Sequence, residues 1–238
     1  MTHNQRWRVL IPVRLIEGET LPPSLIESLE SVDTVILGYH VTKDQVTPEH
    51  ARQEFGERAN QAMDDLVDEF TSAGRTVETR LVFTPDHERT IDRVAGSSDI
   101  NVILYPGPLR DVNRVLVATR GLVGSKRIAA FVASIFGKSG CHISLLHVVP
   151  NRSKVDEGEK YLEAVVNDIQ QNIEVSRDVD RQVMVNQSPL VAILEEAANC
   201  DLVVIGESHD SWRNVLFGNL SENIRNRVDK PVFIVRQQ

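Results

Sequence analysis

Residues Asp201 to Arg236, DLVVIGESHDSWRNVLFGNLSENIRNRVDKPVFIVR, constrain the fold more than any other part of the chain. Leu202 to Ile205 is a short, wholly apolar run that ends on Gly206. After Gly218, Leu220, Ile224 and Val228 recur at four-residue spacing, and Pro231 stops that helix ahead of a second apolar run, Val232 to Val235. The pattern predicts strand, glycine-punctuated loop, helix and strand. Apolar runs without alternation belong to strands covered on both faces, as in parallel sheets. Backbone amides at such a loop and helix start can face an anion, so the layout is that of a phosphate loop with some expected residues missing.

This segment resembles the C-terminal signature of the universal stress protein family, in which a G-x2-G-x9-G-[ST] loop follows the fourth strand and a Pro-Val strand closes the sheet. Gly206 and Gly218 match the outer glycines. His209 stands where the second glycine is expected, eleven residues rather than twelve separate Gly206 from Gly218, and Asn219 replaces the Ser or Thr. A side chain at the second glycine obstructs close approach of a phosphate and resists positive φ. In nucleotide-binding members, an Asp at the end of the first strand holds the adenosine portion. A residue after the second strand contacts adenine through its backbone, and the loop holds phosphates. Both Asp positions are arginine here, Arg14 and Arg120. The resemblance therefore implies a candidate set for ATP or another adenine nucleotide made of Thr119, Arg120, Val148, Gly206, Gly218, Asn219 and Ser221.

The chain has 238 residues, enough for two domains of roughly 110 residues each. Hydrophobic content of 41% supports buried cores, and 25% of residues are charged. A net charge of −8 and a pI of about 5.4 disfavour attraction to nucleic acid or an anionic membrane. Cys141 and Cys200 are too few for a disulfide framework or a metal site and read as reduced, buried thiols. The opening residues MTHNQRWRVLIPVRL lack the cleavage region and longer apolar core of a signal peptide. No apolar run approaches the ~18 residues of a membrane helix, so a soluble, cytoplasmic protein is expected.

Internal repetition organises the chain. RVLIPVR at Arg8 to Arg14 returns as RVLVATR at Arg114 to Arg120, an apolar strand ending on arginine each time. Thr34 to Val41 is matched by Ile143 to Pro150, with His40 and His147 near the carboxyl ends. His50 to Ala73 carries Phe55, Ala59, Ala62, Met63, Leu66, Val67 and Phe70 on one stripe, predicting a long helix stopped by Gly74; its counterpart is Asp156 to Ser176. Val77 to Phe83 matches Arg181 to Val185, His87 to Ala95 matches Pro189 to Ala198, and Asp99 to Tyr105 matches Asp201 to Ile205. Each half reads βαβαβαβ, which predicts an α/β protein of tandem open parallel sheets, Rossmann-like, with right-handed crossovers.

The expected domains are 7–107 and 114–238, joined by a linker at 108–113. The first half is too short for its own glycine loop, last helix and fifth strand, and LPPSLIESLES puts two prolines at the start of its first helix. It reads as a degenerate copy. Ligands of such sheets lie beyond the carboxyl ends of the strands, which places Thr119, Arg120, Val148 and the loop after Ile205 around one crevice. The equivalent rim of the first half holds Val13, Arg14 and Val41.

Arg120 is either an anion contact, since guanidinium matches phosphate geometry, or a solvated or ion-paired rim residue. Gly206 and Gly218 either serve phosphate or only shape a turn and a helix start, with Asn219 or Ser221 as the cap. His209 and Asp210 have no third metal ligand, and His40 and His147 read as hydrogen-bonded core or rim residues. Ser125 and Ser188 lack a nucleophile elbow, so no enzyme is expected. Trp212, Val215 and Leu216 bring apolar surface into the loop. Family members pair through their fifth strands, which implies a homodimer or a within-chain pseudo-dimer. The leading reading is a non-catalytic stress-response or regulatory protein sensing an adenine nucleotide through its second half. The alternative is a nucleotide-independent interaction module, such as the soluble regulator of a membrane transporter.

Overall fold

The apolar runs of the first half become four strands and its polar, periodic stretches become three helices. In chain order these are β1 (Arg8–Arg14), α1 (Pro23–Ser28), β2 (Asp33–Val41), α2 (Pro48–Ser72), β3 (Val77–Thr84), α3 (His87–Ser97) and β4 (Val102–Tyr105). The computed structural model describes residues 6–42, 46–97, 99–119, 125–172, 179–207 and 220–236. It divides into two compact units, Met1–Pro106 and Gly107–Gln238.

In the first unit the strands lie in the order β3-β2-β1-β4, all parallel. Five consecutive residues of β1 are buried, as expected of a strand covered on both faces. Leu10, Val35, Leu37 and Ile103 pack with Ile91, Val94 and Ala95 of α3 on one face. Phe83 packs with Ala51 and Ala59 of α2 in a second cluster. Helix α2 starts one turn's fraction earlier than its apolar stripe because Thr47 caps it, accepting the His50 N–H at 3.2 Å, with Pro48 at the first helical position. It ends as the glycine predicted: Gly74 has φ 75°, its N–H donates to Thr71 O, and the Arg75 N–H donates to Phe70 O.

The second unit contains β5 (Arg114–Thr119), α4 (Ser125–Phe136), β6 (His142–Val149), α5 (Val155–Asn172), β7 (Val179–Val185), α6 (Pro189–Ala197), β8 (Leu202–Glu207), α7 (Leu220–Arg225) and β9 (Val232–Arg236). Its strands run in the order β9-β8-β5-β6-β7, again parallel. Phe131 and Phe136 of α4 pack on Phe233 of β9, with ring centroids 5.3 and 6.3 Å apart. The α/β architecture of open parallel sheets is thus as the sequence predicts, and no helix or strand stands between β4 and β5.

Three local expectations change. Strand β4 begins at Val102 rather than Asp99, because Asp99 takes φ 52° and Asn101 bonds back to Arg8. Strand β8 continues past Ile205 to Glu207, since Gly206 and Glu207 still pair with Val235 and Arg236. Helix α7 ends at Arg225, and Val228 serves it only by donating its N–H to Ile224 O at 2.9 Å.

The register makes the duplication explicit. Arg8 pairs with Asp33 and Arg114 with His142, while Val9 pairs with Val102 and Val115 with Leu202. Asn101 Oδ1 accepts the Arg8 N–H at 2.8 Å, and Asp201 Oδ2 accepts the Arg114 N–H at 2.9 Å. Arg8 reaches across β2 to Glu78, the second residue of β3, as Arg114 reaches across β6 to Asp180, the second residue of β7. The same register places the two strand histidines. Val13 pairs with Gly38 and Thr119 with His147, so His147 is level with Gly38 and not with His40. The two histidines sit two residues apart on one face of equivalent strands, where His40 meets Phe55 of α2 and His147 meets Tyr161 of α5.

Candidate functional site

The carboxyl ends of β8, β5 and β6 are neighbours, which assembles the described part of the predicted crevice. Ala118 is in register with Ile205, and Thr119 with His147. The next step of the β5–β8 ladder therefore brings Thr119 level with Gly206, and Val148 follows one residue beyond His147. Thr119 is buried and donates its hydroxyl to Leu146 O at 3.3 Å. Val148 is half-buried. Ser221 lies in the first turn of α7. Arg120, His209, Asp210, Trp212, Val215, Leu216, Gly218 and Asn219 lie outside the described residues.

Behind Thr119 stands a cluster that sequence patterns treat only as a strand histidine and a helix apolar residue. His147 Nδ1 is 3.1 Å from Thr119 O; a carbonyl only accepts, so Nδ1 carries the proton. The His147 ring lies against Tyr161, with centroids 4.8 Å apart. Burial pushes the Tyr161 phenol above its ordinary pKa, opposed by its contact with the Thr119 side chain. Gly158 lets α5 settle onto this cluster: a Cβ there would lie 3.0 Å from Val183 Cγ1 and 3.1 Å from His147 Cδ2. The pairing of Tyr161 with His147 has no sequence signature, because it depends on the seating of α5 over β6.

Gly206 has a packing role of its own. A Cβ there would fall deep inside contact distance of Ile128 Cδ1, and Ile128 is buried in α4. The glycine thus admits the helix that follows β5. The first turn of that helix also carries Arg127, a half-buried residue whose guanidinium pKa is lowered by burial. Arginine stays charged under such a shift, so α4 brings a positive group to the same end of the sheet as Thr119.

The rim of the first unit is built differently. Val13 and Gly38 occupy the levels of Thr119 and His147, and the next pair is Arg14 with Tyr39. Arg14 Nε donates to Tyr39 Oη at 3.0 Å. Tyr39 is 6% exposed and stacks on His87, with ring centroids 5.4 Å apart and planes 2° from parallel. Among the described residues no group of three or more His, Cys, Asp or Glu is placed to hold a metal ion. No helix of the described residues is long and apolar enough to cross a membrane.

Residues 112–236 match the model of the universal stress protein family. Among solved structures, a universal stress protein from Archaeoglobus fulgidus DSM 4304 is similar over 100% of both chains, with 16% identity and a TM-score of 0.67. A functionally unknown protein from Pseudomonas aeruginosa PAO1 is similar over 98% of this chain and 93% of its own, with 13% identity and a TM-score of 0.58. A universal stress protein from Archaeoglobus fulgidus in complex with dAMP covers 52% of this chain and 97% of its own, with 17% identity and a TM-score of 0.41. No curated protein matches the chain. At these identities the structural likeness establishes the fold.

Proposed function

Since the chain belongs to the universal stress protein family, we propose that it is a non-catalytic stress-response protein whose second unit senses an adenine nucleotide. The binding set in this reading is Thr119, Arg120, Val148, Gly206, Gly218, Asn219 and Ser221. The observation that carries it is the convergence of Thr119, Val148 and Gly206 at the carboxyl ends of three neighbouring parallel strands, where ligands of open α/β sheets bind. Binding rather than turnover fits the groups found there. The Thr119 hydroxyl is committed to Leu146 O and His147 Nδ1 to Thr119 O, while burial keeps the Tyr161 phenol protonated. The test is to denature freshly purified protein, identify released small molecules by mass spectrometry, and titrate ATP onto the emptied protein. Stoichiometric release or saturable binding is expected. No nucleotide released and no binding at millimolar ATP would remove the sensing role.

A second reading is an interaction module that needs no nucleotide, such as the soluble regulator of a membrane transporter. It is favoured by the packing of Ile128 against Gly206, which gives that glycine a role without any ligand. Affinity capture that recovers one specific partner from a protein indifferent to ATP is its expected outcome. Capture without a specific partner would count against it.

A further inference from the structure

We infer that the first unit's crevice is closed by its own side chains, with Tyr39 as the residue that decides it, so that nucleotide enters the second unit alone. The part concerning the second unit rests on the function proposed above; the closure of the first does not. The β1–β2 register puts Tyr39 beside Arg14, one step past Val13 and Gly38. In the second unit Thr119 and His147 occupy that last level, and the residues that follow are Arg120 and Val148. Tyr39 is therefore the counterpart of Val148, the residue expected to meet a nucleobase, and Arg14 is the counterpart of Arg120.

An aromatic ring at the Val148 level changes what the rim can accept. Tyr39 is buried, lies parallel to the His87 imidazole at the start of α3, and has its hydroxyl engaged by Arg14 Nε. At a 5.4 Å centroid separation there is no room for a further ring between Tyr39 and His87, since interleaving one needs about twice the spacing of a single stack. The Arg14 guanidinium carbon also lies 5.9 Å from the Tyr39 ring centroid. The backbone donor is taken as well: Glu19 Oε2 accepts the Arg14 N–H at 2.7 Å. A heteroaromatic ligand would find the stacking face, the Arg14 Nε–H and the strand-end amide each already engaged from within the chain.

The three tyrosines, Tyr39, Tyr105 and Tyr161, provide reporters in both units. The full chain is labelled with 3-fluorotyrosine, and its three fluorine resonances are assigned with Tyr105→Phe and Tyr161→Phe. Adenosine and ATP are then titrated to millimolar concentration. The expected result is a saturable shift of the Tyr161 resonance, which reports on Thr119 and His147, with the Tyr39 resonance unmoved and one ATP bound per chain. If neither resonance moves, the first crevice is still shown to reject nucleotide and the sensing function of the second unit falls. A saturable shift of Tyr39 with either ligand, or two ATP bound per chain, overturns the inference.

Discussion

Arg14 and Glu19 are hydrogen-bonded to each other twice, with Glu19 Oε2 accepting the Arg14 N–H at 2.7 Å and the Glu19 N–H donating to Arg14 O at 3.2 Å. The pair closes a tight turn through Gly18, whose φ of 75° needs a glycine. Burial raises the Glu19 pKa, and its bond from Arg14 and the Arg14 charge oppose the shift. A carboxyl raised in the folded state binds its proton more tightly there than in the unfolded chain. Its contribution to stability is therefore present below the unfolded value and lost as pH rises through the folded one. Glu19→Gln keeps the acceptor without the charge. Urea unfolding from pH 4 to 7 should show Glu19→Gln at least as stable as the parent at pH 7, with a flatter pH profile. Glu19→Ala, which removes the acceptor, should lose about 1 kcal/mol. A Gln variant as unstable as the Ala variant would mean that the charge, not the acceptor, holds the turn.

Gly206 and Ile128 yield a test that separates packing from ligand binding. Gly206→Ala drives Ile128 Cδ1 out of its place and should destabilise by about 1–3 kcal/mol. Ile128→Val removes that methyl group and alone should lose about 0.5–1.5 kcal/mol. In the double variant the two effects should sum to clearly less than their separate values, as contacting sites do. Additive losses in denaturant unfolding would show that Ile128 does not set the requirement for glycine.

Much of this fold could be read from the chain because most strands are apolar runs of the right length and α2 shows its stripe and its Gly74 stop. Helix α4 could not be delimited that way. Ile128, Ala129, Phe131, Val132, Ala133, Ile135 and Phe136 are all buried, so it lacks the broad polar face that reveals a helical period. The offset of two residues between His40 and His147 was legible too, since matching Thr34–Val41 to Ile143–Pro150 sets Gly38 opposite His147, as the cross-strand pairing does. Of the candidate site, Thr119, Val148 and Gly206 were legible because strand ends are. The Tyr39 closure was not, since it depends on α3 presenting His87 to a neighbouring strand.

The duplicated contact at the start of β4 and β8 predicts which substitution Asp201 tolerates. Asp201 Oδ2 accepts the N–H groups of Asn113 and Arg114, both at 2.9 Å, whereas its counterpart Asn101 serves Arg8 with an amide oxygen. Asp201→Asn keeps an acceptor and should stay within about 1 kcal/mol of the parent. Asp201→Ala leaves two amides without that partner and should lose about 1–3 kcal/mol. Chemical unfolding of the two variants checks this. Equal losses would show that the charge near Arg114 matters more than the acceptor.

Lys230 ties the end of α6 to the chain just ahead of β9. Its ammonium donates to Ala197 O at 2.7 Å, to Ala198 O at 2.9 Å and to Cys200 O. Ala197 O and Ala198 O are carbonyls at the C-terminus of α6, where a positive charge meets the negative end of the helix dipole, and Cys200 O belongs to the segment leading into β8. Lys230→Met preserves the length of the side chain and removes the three donors. Because hydrogen bonds from a charged group carry more than neutral ones, the substitution should lower the unfolding free energy by about 1.5–3 kcal/mol. It should also speed amide exchange selectively around residues 197–200, whose carbonyls at Ala197, Ala198 and Cys200 this lysine gathers. The protection of α2 in the first unit should not change. Unchanged exchange around Ala197, with full stability retained, would mean that water replaces the ammonium at no loss and that Pro231 alone directs the chain into β9.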